Sequence, residues 1–455
     1  MARTRSKQQN PSDPPLIRVS GPSPLADCTI GGPGTNFVNS EFEPWAAFNP
    51  TNPSNIIAVW QQDRWSNGSA HGIVAGFSLD RGQTWGETPL PFSACAPNGL
   101  RYDRAVDGWV SIGPDGIAYA SGLSFNQKSN GNTAVSVVTS MNGGRTWNNL
   151  QVIKADKGFS IFNDKPAITA DPIKPGVAYL VWDRLATRTG PTWFSKTTDG
   201  GKTWSTPRII FTPGVGNQTI GNQIVINPRT GFLYNFFTWI ITSGTNRGRN
   251  ISVQRSINGG RTWSVAKIIA KQHSVAVRDP NTQELIRAGT IIPEPAIDPF
   301  TGHLYIVWQD SRFSGGKFNE IACSRSTNGG FTWSLPIRVN PSTGSPTFVP
   351  AIRVNAQGVV GVSYYDFRGL GLQTTTLPTN YWLRTSTDGG KSFGEEFLIT
   401  GPFDMLTAPR TNGGRGLGDY QGLIAIGEAF HPVFVKANSG NTTNRTDVFT
   451  TTIIP

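Results

Sequence analysis

Six near-copies of one octapeptide punctuate this 455-residue chain. They read SLDRGQTW from Ser78, SMNGGRTW from Ser140, TTDGGKTW from Thr197, SINGGRTW from Ser256, STNGGFTW from Ser326 and STDGGKSF from Ser386. Their third positions are Asp80, Asn142, Asp199, Asn258, Asn328 and Asp388, so the gaps are 62, 57, 59, 70 and 60 residues. Recurrence at that period marks a supersecondary unit of roughly 60 residues that is repeated along the chain and packs on its neighbours.

Each unit carries the same parts in the same order. In the fifth these are EPAIDP (294–299), HLYIVWQDSR (303–312), NEIACSRSTNGG (319–330) and TWSLPIRV (332–339). All are short, rich in β-branched and aromatic residues, and bounded by Gly, Pro or Asp, as in an antiparallel meander of four strands. A seventh copy begins at YQGLIAIGE (420–428), continues through HPVFVKAN (431–438) and supplies a third strand, TDVFTTTII (446–454). The strand it lacks is at the other end of the chain, where PLIRVS (15–20) resembles LPIRVN (335–340), the fourth strand of the fifth unit. The expected fold is therefore all-β: a seven-bladed β-propeller of four-stranded antiparallel blades, closed by the N-terminal strand pairing with the last blade. Six blades with a separate piece is the alternative count. Residues 15–455 are expected to form a single propeller domain behind a flexible basic tail, 1–14.

The chemistry of the octapeptide is local. Asp or Asn at the third position bonds nearby backbone, Gly supplies a left-handed turn conformation, and the Ser and Thr hydroxyls satisfy further backbone groups. The Trp then opens the fourth strand and buries its ring against the blade. Nothing in the motif converges on a shared ligand, and it lacks the carboxylates and terminal Glu of an EF-hand calcium loop. The octapeptide resembles the Asp-box, or bacterial neuraminidase repeat, of sialidase-like β-propellers. That resemblance implies a hairpin between third and fourth strands, on the rim away from the ligand-binding face. Chemistry is then expected on the opposite face, in the loops entering first strands and leaving second strands.

Those loops hold the candidate residues. Acid–arginine pairs leave the second strands at Asp63 and Arg64, Asp183 and Arg184, Asp310 and Arg312, and Asp366 and Arg368. Glu43, Asp103, Arg104, Asp107, Asp164, Glu294, Asp419 and Tyr420 lie where first strands begin. Guanidinium forks bind carboxylates bidentately, so arginines from several blades suit an acidic sugar. In sialidases three arginines hold the substrate carboxylate, a tyrosine with a glutamate partner is the nucleophile, and an aspartate is the acid/base. By that resemblance Arg184, Arg312 and Arg368, with Arg64 beside them, are the substrate-binding candidates. Tyr420 or Tyr365 would be the nucleophile, Glu294 its partner, and Asp107 or Asp63 the acid. The sequence departs from the sialidase pattern in counting seven units and in having IRVS (17–20) where an RIP motif would stand. The recurrence of the acid–arginine pair also fits salt bridges that serve the repeat. Segment 271–292 lengthens the fourth unit and is the best candidate for a unit-specific functional loop.

Composition narrows the remaining options. The formal net charge is +11, yet Lys and Arg are dispersed, with one small basic run, ARTRSK, near the start. No nucleic-acid interface is evident, and no apolar run approaches the roughly 20 residues of a membrane span. Cys28, Cys95 and Cys323, an odd set, read as three thiols, and the four histidines show no metal-ligand spacing, so no metal or cofactor is expected. No secretory signal is recognisable, which leaves the compartment open, an extracellular or surface location included. Two functions fit: an exo-glycosidase of sialidase type acting on a glycan or acidic carbohydrate, or a non-catalytic propeller that binds protein or glycan or scaffolds an assembly.

Overall fold

The computed structural model describes residues 14–127, 130–369 and 375–455, so the basic tail expected at 1–14 lies outside it except for Pro14. Among the described residues, seven antiparallel meanders follow one another along the chain. Their inner strands, in chain order from sheet one to sheet seven, are Phe42–Asn49, Arg104–Ile112, Ile161–Ala170, Gln218–Ile226, Glu294–Ile297, Thr347–Val354 and Gly422–Ile426. Each inner strand packs on the next, and that of sheet seven packs on that of sheet one. The result is a closed β-propeller, in which neighbouring sheets protect one another's faces.

Second strands are the most buried, because they have a sheet neighbour on each side and a packed sheet on each face. Trp60, Trp182 and Trp308 occupy the same place on the second strands of sheets one, three and five and are fully buried. Their indole N–H groups donate to Gln62 (2.7 Å), Asn163 (2.9 Å) and Asp310 (2.7 Å). Burial favours such a partner for an indole N–H: Gln62 and Asp310 supply it from the same second strands, and Asn163 from the neighbouring inner strand. Outer strands vary in length, from Ile337–Arg338 in sheet five to the nine residues of Asn148–Asp156 in sheet two.

Sheet seven takes its outer strand from the N-terminus. Ile17–Arg18 pairs with Thr446–Thr450, Ile17 standing opposite Thr450. Val19 N–H continues the ladder to the Val448 carbonyl at 2.8 Å, and the Ser20 hydroxyl donates to Asp447 at 3.2 Å. From there the chain crosses to sheet one, where Cys28 and Cys95 form a disulfide, leaving Cys323 as the buried free thiol. The expectation of three thiols is corrected here. Cys28 and Cys95 are 67 residues apart in sequence, and the closing strand carries one to the other.

The octapeptides all adopt one hairpin. In STNGGFTW the Ser326 hydroxyl donates to Asn328 (3.0 Å) and accepts from Gly330 N–H (2.9 Å), while Asn328 Oδ1 accepts from Thr332 N–H (2.9 Å). The corresponding Asp199 adds a hydroxyl bond from Thr203 at 2.5 Å. These hairpins also join sheets. The glycine at the fifth position of each box is left-handed and lies against the preceding sheet: a Cβ on Gly260 would sit 2.5 Å from Phe194, and one on Gly201 2.7 Å from Thr139. Trp263 meets Phe194, and Trp333 meets Phe236, edge to face across the same junctions. The box tryptophans are thus half-buried between sheets rather than sunk into their own.

Candidate functional site

Five inner strands carry a β-bulge at one equivalent place. The register slips between Phe42 and Trp45, Val106 and Trp109, Asp164 and Ala167, Ile220 and Gln223, and Phe348 and Ala351. The first bulged residue is left-handed in each case: Glu43 (φ 53°), Asp107 (φ 56°), Lys165 (φ 48°), Gly221 (φ 70°) and Val349 (φ 50°). A left-handed backbone is unfavourable for residues with a Cβ and is typically kept where a side chain must be re-aimed. Here it turns Glu43, Asp107 and Lys165 toward the ring axis, where they line a central cavity of about 670 Å³.

Two insertions complete this cavity. Leu285–Arg287, within segment 271–292, runs parallel to Gly414–Gly416, and the pair forms part of a small accessory sheet. Arg287 from this sheet and Asp419 from the approach to sheet seven both reach the bulge residues. Lys165 Nζ is 3.0 Å from Asp107, 3.1 Å from Asp419 and 3.5 Å from Glu43. Arg287 grips Asp419 bidentately, Nε at 3.0 Å and the terminal nitrogen at 2.6 Å. Asp419 N–H donates to Glu43 at 3.1 Å, an approach open because Gly418 has no Cβ, which would lie 2.9 Å from the Glu43 backbone. Gln61 also donates to Glu43 and accepts from Arg64.

Burial sets the protonation of these groups. It pushes Glu43 up to about 7, against the opposing pull of Lys165. Burial acts upward on Asp419 too, but the adjacent Arg287 and Lys165 charges outweigh it and hold that carboxyl well below the usual range. Asp164 is raised well above its ordinary value by burial and by the Asp107 charge. Two carboxyl groups with values driven apart, beside a cavity, are the usual electrostatic signature of paired acid and base roles.

Of the residues expected from sequence, Asp107 and Arg64 line the cavity, and so do Glu43, Asp164 and Asp419 from the starts of first strands. Tyr420 lies just beneath it, stacked edgewise on Trp109, its hydroxyl 3.4 Å from the Gly108 carbonyl and its ring under Lys165 Nζ. Burial drives its phenol well above its ordinary value. Tyr365 is buried between sheets six and seven and donates to the Val435 carbonyl at 2.7 Å. Glu294 is buried beside Gln223, which donates to it at 3.0 Å, and burial raises it to about 8. Asp63 is buried in a polar network away from the cavity wall. The other three arginines are not brought together. Arg184 is clamped by Asp156 at 2.8 and 2.6 Å, Arg312 by Asp310 at 2.9 Å, and Arg368 by Asp366 and by Glu396 at 2.6 Å. Lys165 and Arg287 were not singled out in the sequence; segment 271–292 was the signal that pointed toward the latter.

A β-propeller with a carboxylate-rich axial cavity defines the class of protein. No protein-family model matches the chain, and no curated protein matches it. Among solved structures it is similar to an α-L-arabinanase of Penicillium chrysogenum complexed with arabinobiose, at 14% identity and a TM-score of 0.51, over 97% of this chain and 98% of that one. Similarity also extends to the Hadza microbial sialidase Hz136 (13% identity, TM-score 0.48, 92% and 66% coverage). A Fusarium graminearum α-L-arabinofuranosidase is comparable (11%, 0.48, 92% and 96%). At these identities the likeness is one of fold.

Proposed function

We propose that this chain is a glycoside hydrolase of the β-propeller class, with residues 15–455 forming one seven-bladed domain. The observation that carries the reading is the convergence of Glu43, Asp107 and Asp419, none of them part of the repeated octapeptide, on one axial cavity. In this mechanism Glu43, protonated near neutrality, gives its proton to the glycosidic oxygen as the bond to the anomeric carbon breaks. Asp107, oriented by Lys165, takes a proton from the water whose oxygen bonds to that carbon. Asp419, already pinned by Arg287, positions Glu43 through its backbone N–H. Tyr420 supports Lys165 from below.

The substrate we infer is a neutral glycan. A sialidase-type clamp would need unpaired guanidinium groups, whereas Arg184, Arg312 and Arg368 are each committed to a carboxylate. Among the described residues the guanidinium groups at the cavity are Arg64 and Arg287, paired with Gln61 and Asp419. The disulfide favours an oxidising, extracellular setting. A panel of fluorogenic neutral glycosides and a sialoside tests this. Turnover of a neutral glycoside is expected, falling at least roughly 100-fold in Glu43→Gln and Asp107→Asn with the fold intact. Turnover of the sialoside instead would overturn the neutral-substrate reading. No turnover with retained glycan-array binding would leave the non-catalytic binder.

A further inference from the structure

His71 opens onto the Cys28–Cys95 disulfide with one ring nitrogen unused. Among the described residues, Cys28, His71 and Cys95 are the one group of three potential metal ligands, their ligand atoms all within 4.8 Å of one another. His71 is 2% exposed, and its Nε2 makes no hydrogen bond among the described residues. A buried, unpaired ring nitrogen is costly unless something else uses it. The opposite nitrogen, Nδ1, is 3.3 Å from Asp63 Oδ2. That carboxylate is itself fixed by the Ser23 hydroxyl at 2.6 Å and Asn39 N–H at 2.9 Å. A carboxylate behind Nδ1, with Nε2 left without a hydrogen-bond partner, is the outer-sphere arrangement that orients a metal-binding imidazole.

We propose that the reduced chain holds a thiophilic divalent cation, zinc being the fitting ion, between Cys28, Cys95 and His71. An external dithiol supplies two electrons and two protons to the S–S bond and leaves as its disulfide; a phosphine supplies the two electrons, and water supplies both protons and the oxygen of the phosphine oxide, giving two thiols in either case. Binding then releases both thiol protons to solvent, and the two thiolates and the Nε2 lone pair occupy three positions of a tetrahedral site, water the fourth. Asp63 is a positioning residue in this site. Cys28 and Cys95 are half-buried, which leaves the bond open to the reductant. The site borders the axial cavity, since the 67–69 turn between Asp63 and His71 lines it.

The test uses the full chain, reduced with a phosphine under anaerobic conditions and titrated with cobalt(II). Expected are one equivalent bound with thiolate-to-cobalt charge-transfer absorption in the near ultraviolet, displacement by zinc, and quenching of Trp65, whose ring lies 5.3 Å from that of His71. His71→Gln weakens the binding at least tenfold, and Cys28→Ser with Cys95→Ser abolishes it. The oxidised chain gives no such signal. Equal binding by the oxidised chain, full binding by His71→Gln, or no binding by the reduced wild type each overturns the proposal. Loss of β-sheet circular dichroism on reduction also overturns it, because the site requires the folded reduced chain.

Discussion

Glu43, Asp107 and Lys165 owe their aim to a backbone conformation. Glu43 and Asp107 were visible in the sequence as acids beside first strands. Their convergence was not, because it depends on left-handed bulges and on ring closure, which brings Lys165 to Asp419 across 254 residues. Lys165, in NDKPAI, is a single lysine before a proline and carries no motif. The burial of Glu43 has a measurable consequence. Its folded value, about 7, lies above its ordinary 4.5, so the proton it holds stabilises the fold fully below about 4.5, and that contribution is lost as pH rises through about 7. The kcat/KM profile is accordingly expected to fall above pH of about 7. In unfolding experiments, the stability difference between wild type and Glu43→Gln should shift against the wild type over the same interval. A flat difference from pH 4.5 to 8 would show that Glu43 is not held protonated there.

At the scale of elements, the octapeptide was the most legible part of the chain and was read only in part. Its Asp or Asn, Gly and Thr requirements predicted a tight hairpin, and the bonds around Asp80, Asn142 and Asn328 are those of such a hairpin. What the sequence did not disclose is that the fifth-position glycine and the tryptophan meet the preceding sheet, since that contact belongs to the ring. Gly260→Ala should therefore cost more than a glycine in a free turn. The Cβ must take a left-handed backbone at φ 78° and also displace the Phe194 ring. Roughly 2–4 kcal/mol is expected from strain and overpacking together. Gly315→Ala, also left-handed but with open space around its Cβ, is the control and should cost roughly 1 kcal/mol. Denaturant unfolding of the two variants separates strain from the inter-sheet contact, and equal losses would remove the contact from the account.

For the whole molecule, closure is the feature that ties the distant parts of the fold together. Only the likeness of PLIRVS to LPIRVN announced it in the sequence. The same crossing brings Cys28 to Cys95, a pairing that an odd cysteine count concealed. Deleting residues up to Ser20 leaves the disulfide intact but removes the outer strand of sheet seven. Lost with it are the burial of Val19, 2% exposed, and the bonds Val19 and Ser20 make to Val448 and Asp447. The combined loss should be roughly 4–6 kcal/mol, from one buried aliphatic side chain and a few hydrogen bonds. The deletion also uncovers the Thr446–Thr450 edge, whose free N–H and C=O groups invite pairing with a second chain. Calorimetry should show a lowered transition, and sedimentation should show concentration-dependent association, which adding back a peptide of residues 15–20 reverses. If the truncated chain stays monomeric and melts with the wild type, the N-terminal strand is an accessory to the ring rather than its closure.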